Sequence, residues 1–252
     1  MFNKLSHNSL VRTLQIVNHL LLAAGIFIAF HTSWNYLLVS LLTYWTIGVL
    51  GINIGYHRLL SHRSFRTWPV IEKILSVIGV LTTVGSPLAW TAIHRQHHRS
   101  AERAGDPHSP YLIGNWRAWF GIWPKISLDL KLIRDMRSSV FQRGLHRYYL
   151  FIILAYCAIL FAIDPLLVIF AYAIPACLCL HSTSAIIVIA HRHGYRPYPD
   201  VRDQSRNSWI ANLITLGEGW HNTHHAKPYA WNNQERWWEF DIPAYIIRLI
   251  KK

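Results

Sequence analysis

VIEKILSVIGVLTTVGSPLAWTAI, residues 70–93, lies between HRLLSH (57–62) and HRQHH (94–98), and its course decides the fold. If this stretch crosses a membrane, the two histidine clusters sit on opposite faces and share no site. If it lies at the interface or dips back, they sit on one face. Glu72 and Lys73 near its start, and Gly85, Ser86 and Pro87 near its end, argue against a crossing. Charges in hydrocarbon are costly, and Pro and Gly interrupt helices. The reading is an interfacial or re-entrant helix over 70–93.

Working outward, four runs carry no Lys, Arg, Asp or Glu: 14–30, 34–55, 148–163 and 165–190. Each is about long enough to cross a bilayer, which takes roughly 20 residues. Lys4 and Arg12 before the first run give it a resemblance to a signal peptide, but the second run follows so closely that the two read better as a helical hairpin. These spans reconcile a net charge of +13 with 52% hydrophobic residues in 252 positions. The chain reads as one all-α, multi-pass membrane domain over 1–252, with no repeat, low-complexity tract or linker. Cys157, Cys177 and Cys179 fall in the spans without metal-like spacing and read as small apolar filler.

Segment 57–147 holds 14 Lys/Arg against 5 Asp/Glu, and 191–252 holds 9 against 6, whereas the links near 31–33 and Asp164 hold no Lys or Arg. The positive-inside bias therefore places the N-terminus, the middle loop and the C-terminus in the cytoplasm. The last two spans add an even number of crossings, so every histidine cluster faces the cytoplasm. The host membrane would be the plasma membrane of a prokaryote or the endoplasmic reticulum of a eukaryote, and the terminal IKK reads either as a retrieval signal in a eukaryote or as a basic tail on the membrane. The basic excess is assigned to topology and headgroups, not to nucleic acid.

GEGWHNTHHAKP (217–228) is the third cluster. On a helix, positions i, i+3 and i+4 share a face, so His94, His97 and His98 project together, as do His221, His224 and His225. Neighbours within a trio diverge by about 100°, so one trio reaches two ions more readily than it closes around one. His57 and His62, five apart, converge only if their helix ends or bends between them. Neutral imidazole is the commonest metal ligand, and eight clustered histidines exceed what one ion needs. Two ions with about four imidazoles each fit better. Ligand type alone does not choose the metal.

The motifs GYHRLLSH (55–62), HRQHH with DPHSP (94–110) and GEGWHNTHH (217–225) resemble the three histidine boxes of the stearoyl-CoA-type membrane fatty acid desaturases. HRHGYRP (191–197) and DQSRN (203–207) also match, and the similarity runs from about residue 35 to about 230. The resemblance implies four transmembrane helices, a cytoplasmic helical cap and a di-iron site beside a bent acyl tunnel. By position it assigns as ligands His57, His62, His94, His97, His98, His191, His221, His224 and His225, of which His191 is not singled out by spacing. His7, His19, His31, His108, His146, His181 and His193 are given no metal role.

Two departures stand out. Family members commonly carry Asn four residues before the ninth histidine, supporting a metal-bound water; here that residue is Ile187. The Arg-Asp pair before the second box of animal acyl-CoA members is replaced by Ala92 and Ile93, which favours acyl-lipid over acyl-CoA. The implied activity is oxygen-dependent insertion of a cis double bond, delta-9 being commonest in the family. The protein's part is to hold one methylene pair beside the irons. No dinucleotide fingerprint or ferredoxin-like Cys run is present, so electrons come from a separate ferredoxin or cytochrome b5, attracted by a basic surface that includes Arg95, Arg99 and Arg103. Trp45, Trp90 and Trp209 read as interfacial belt residues in preference to tunnel lining. The same ligands would serve a di-iron alkane or lipid hydroxylase. A metal transporter is disfavoured, because its site would lie within the spans.

Overall fold

The computed structural model describes residues 8–31, 33–124 and 128–252; Lys4 and His7 lie outside them. Its main helices are α1 (Asn8–Ala29), α2 (Asn35–Ser61), α3 (Pro69–Leu81), α4 (Pro87–Ser100), α5 (Val140–Arg147), α6 (Tyr149–Ile163), α7 (Val168–Val188), α8 (Trp209–Thr215), α9 (His221–Ala226) and α10 (Ile242–Ile250). Apart from isolated bridges at Tyr195–Asn207 and Asn207–Trp220, the regular secondary structure of the described residues is all helical.

Helices α1, α2 and α7 are each long and apolar enough to cross a membrane, and α5 with α6 makes a fourth candidate bent by 70°. The chain is a multi-pass membrane protein. At one end of the bundle, Tyr36 donates its hydroxyl to the Asp164 carboxylate, tying the first turn of α2 to the link before α7. The histidine clusters lie toward the other end of α2.

Residues 70–93 form two helices with a turn between them. Thr83 (φ +58°) and Gly85 (φ +120°) turn the chain, and Pro87 opens α4 while Ser86 caps it by accepting from the Ala89 N–H at 3.3 Å. Helix α3 runs antiparallel to α2 in close contact. A Cβ on Gly51 would stand only 2.8 Å from the Gly79 Cα, so both positions need a missing side chain. The chain then returns along α4, bringing His94 beside His57, their ring centroids 4.6 Å apart.

From Ile47 onward α2 is wound as a π-helix, with the His62 N–H donating to the His57 carbonyl at 3.1 Å. An i→i+5 repeat brings residues five apart onto one face. The helix ends at Ser61, with His62 as its cap, and its underwound last turn leaves the two rings 4.8 Å apart.

Candidate metal centre

Nine buried or half-buried histidines converge in two adjoining groups. His57, His62, His94, His98 and His224 form one, and His97, His191, His221 and His225 the other, with the donor nitrogens of each group within 4.8 Å of one another. The two i, i+3, i+4 trios divide between the groups in complementary fashion. From α4, the i/i+4 pair His94 and His98 joins the first group while His97 joins the second. From α9, the i/i+4 pair His221 and His225 joins the second while His224 joins the first. All nine histidines expected from the sequence are therefore brought together.

Four of them are oriented by carboxylates. His57 Nδ1 lies 2.7 Å from Glu218, His97 Nδ1 3.0 Å from Asp106, His191 Nδ1 2.8 Å from Glu102 and His225 Nδ1 2.6 Å from Asp203. An imidazole donating from Nδ1 presents a lone pair at Nε2. Those Nε2 atoms crowd together: His57 to His224 at 3.1 Å, His224 to His98 at 3.1 Å, and His191 to His221 at 3.1 Å. One proton on His224 can serve only one of its two neighbours, whereas a cation among them serves all three. Among the described residues the buried His225 Nε2 has no hydrogen-bond partner. Ligands at right angles on an ion with bonds of about 2.1 Å sit about 3.0 Å apart, which matches these separations. The donor set fits a pair of metal ions.

The electrostatics favour ligation. His94, His98, His221 and His224 are held well below the usual imidazole value, first by burial and then by neighbouring imidazoles. Burial likewise lowers His225, to about 4 against the opposing pull of Asp203. Neutral imidazole is the form that binds metal. Burial raises the Glu218 carboxyl, but Arg58 and His57 outweigh it and bring it down to about 2. Arg58, fully buried, donates to Glu218 at 2.9 Å and to Asp241 at 2.9 Å, fixing the base of the centre.

The third box is shaped by its glycines and by DQSRN. A Cβ on Gly217, at φ +148°, would stand 2.5 Å from Pro243. Asn207 accepts from the Thr223 N–H at 3.0 Å and donates to its hydroxyl at 2.9 Å, pinning α9.

An apolar cavity of about 80 Å³ opens onto His57, His94, His97, His191 and His221. It adjoins a second of about 500 Å³, and Val84, Trp90, Ile93, Trp123 and Thr183 line both. Ile187 lines the smaller one.

Several sequence expectations change. Trp90 is tunnel lining and not a belt residue: it stacks on His94 with ring centroids 4.8 Å apart. Trp45 and Trp209 are partly exposed. His108 is buried against His97, ring centroids 4.5 Å apart, and lines the smaller cavity. Arg95 turns inward, donating to Asp135 at 2.8 Å and to the Ser61 carbonyl at 2.7 Å. Arg99 pairs with Asp129 at 2.8 Å. His19, His31, His146 and His181 stand outside both groups, and His193 is exposed. The orienting carboxylates Glu102, Asp106, Asp203 and Glu218 and the Arg58–Asp241 pair were not singled out, although all but Glu102 and Asp241 lie inside the motifs quoted for the boxes.

Compared with known proteins, the chain matches the profile of the fatty acid desaturase family over residues 31–245. It is 33% identical over 231 residues to an sn-1 stearoyl-lipid 9-desaturase of Anabaena variabilis, covering 89% of this chain and 84% of that one. It is 35% identical over 231 residues to delta-9 acyl-lipid desaturase 2 of Arabidopsis thaliana, covering 88% and 74%. An acyl-CoA 5-desaturase of Anemone leveillei is 30% identical over 249 residues, covering 92% and 76%.

Proposed function

Given that this chain belongs to the membrane fatty acid desaturase family, a family of di-iron oxidoreductases, we propose that it introduces a cis double bond at the delta-9 position of a saturated acyl chain carried by a lipid or by CoA. The observation that carries the reading is the pair of histidine groups opening onto an apolar cavity. Relatives named for lipid-linked delta-9 activity support the position, while the similar acyl-CoA 5-desaturase keeps delta-5 as the competing outcome.

Two iron ions would be held by His57, His62, His94, His98 and His224, and by His97, His191, His221 and His225. They would supply the oxygen-dependent removal of two hydrogens. The chain's own residues set the stage for it. Trp90, Ile93 and Ile187 form apolar walls that hold the methylenes in place and exclude water. Glu218, Asp106, Glu102 and Asp203 keep the Nδ1 protons of four ligands, which leaves the Nε2 lone pair of those four free for a metal.

In this reading the cluster-bearing end of the bundle is cytoplasmic, with α3 and α4 dipping in from that side and returning. A separate ferredoxin or cytochrome b5 supplies the electrons there. Expression in a host lacking unsaturated fatty acids tests the whole. Octadec-9-enoyl chains are expected in the lipids, and hydroxylated chains alone, or none, would defeat the proposal.

A further inference from the structure

The larger cavity opens sideways. Its rim carries Ile16 and Leu20 of α1, which are 63% and 67% exposed, and Trp116 and Ile122, which are 71% and 40% exposed. Because α1 is one of the helices long and apolar enough to cross a membrane, Ile16 and Leu20 are expected to face lipid and not water. The stretch 115–123, NWRAWFGIW, clusters Trp with an Arg, the composition found at headgroup level. Arg12, one turn before Ile16, stands exposed on the same rim and donates to the Trp123 carbonyl at 2.7 Å. Among the described residues no carboxylate pairs with it. Inward, the shared walls lead from this rim to the imidazoles.

We propose that the substrate is the acyl chain of a phosphate-bearing glycerolipid, drawn laterally from the bilayer between α1 and residues 115–123, with its phosphate left at Arg12. This rests on the desaturase reading. A chain moving from lipid into an apolar cavity crosses no water, and its charged head never leaves the interface, so no charge has to be buried. A thioester arriving from water would have to bring a large polar carrier to a lipid-facing rim.

The test uses metal-free protein in discs of ether phospholipid. They are doped with a phosphatidylcholine whose stearoyl chain bears a mid-chain diazirine. Irradiation is expected to label Trp90 or Ile93, which line the cavity inside the rim. Ile16→Trp with Leu20→Trp is expected to abolish that label. Arg12→Gln is expected to reduce it by about tenfold, the loss of one charge-assisted hydrogen bond. Label at Ile93 that persists in the double variant overturns the proposal.

With metal and an electron donor restored, in discs doped with distearoyl-phosphatidylcholine, that phospholipid is expected to be desaturated and added stearoyl-CoA to be left intact. Stearoyl-CoA turned over equally by wild type and rim variant overturns the lateral route while the desaturase reading stands. Labelled Ile93 with no double bond made from either substrate overturns the desaturase reading and leaves the route intact.

Discussion

His57 donates from Nδ1 to Glu218 at 2.7 Å and turns its Nε2 to within 3.1 Å of His224. The carboxylate therefore fixes both the tautomer and the aim of a ligand at the heart of the five-imidazole group. Loss of such a partner costs about 10–100-fold in metal affinity. Glu218→Gln is expected to weaken one of the two bound ions by that factor and to leave the ion of the four-imidazole group in place. Titration with Co²⁺, followed by its ligand-field bands, reads the two sites. Two ions held as tightly as in the wild type would remove Glu218 from this role.

Much of this site is legible in the sequence, and the parts that are not share a physical cause. The uncharged runs locate the spans because hydrocarbon excludes charge whatever the packing. The trios HRQHH and HNTHH announce two centres because i, i+3 and i+4 diverge on any α-helix. His57 and His62 escape that logic, since it assumes 3.6 residues per turn and this segment follows an i→i+5 repeat. The supporting carboxylates escape it too. Glu102 reaches a histidine 89 positions away, and Arg58 meets Asp241 across 183. No local pattern encodes such pairs. Trp90 falls to the cavity and not to the belt because α4 turns back into the cluster, a consequence of the Thr83–Pro87 turn.

The electrostatics set a pH dependence. The imidazoles of His94, His98, His221 and His224 titrate well below 6.5 in the fold, and His225 at about 4. Below 6.5 the unfolded chain therefore binds protons that the fold refuses, so the fold loses stability as pH drops from 6.5 toward 4. Glu218, lowered from 4.5 to about 2, adds stability that is complete above 4.5 and is lost as pH falls toward 2. Metal-free protein is expected to show a falling Tm across the histidine window. Metal-loaded protein should hold its Tm until protons displace the ions. A metal-free Tm flat between pH 7 and 4 would contradict the burial of these imidazoles as neutral groups.

Val84 lines both cavities at the point where they meet. Val84→Phe adds bulk in that passage without touching a ligand. Turnover of stearoyl substrates is expected to fall by at least about tenfold while the bound metal stays at the wild-type level. Misplacement of a chain by about 1 Å is enough for losses larger than that. Fatty-acid analysis beside elemental analysis of the same sample separates the two effects. Undiminished turnover would mean that the chain does not pass Val84.

Ile187 stands one turn before His191 and faces the cavity beside the four-imidazole group. Ile187→Asn places an amide where the wall is now apolar. In metal-free protein that amide has no assigned partner, and a buried unsatisfied polar group costs about 1–3 kcal/mol, so Tm is expected to fall. An ion held by His97, His191, His221 and His225 with a position open to water would give the amide a partner through that water. Loading with metal is therefore expected to recover most of the lost Tm, and the second ion should bind more tightly than in the wild type. An equal loss of Tm with and without metal would show that no ligand water faces residue 187.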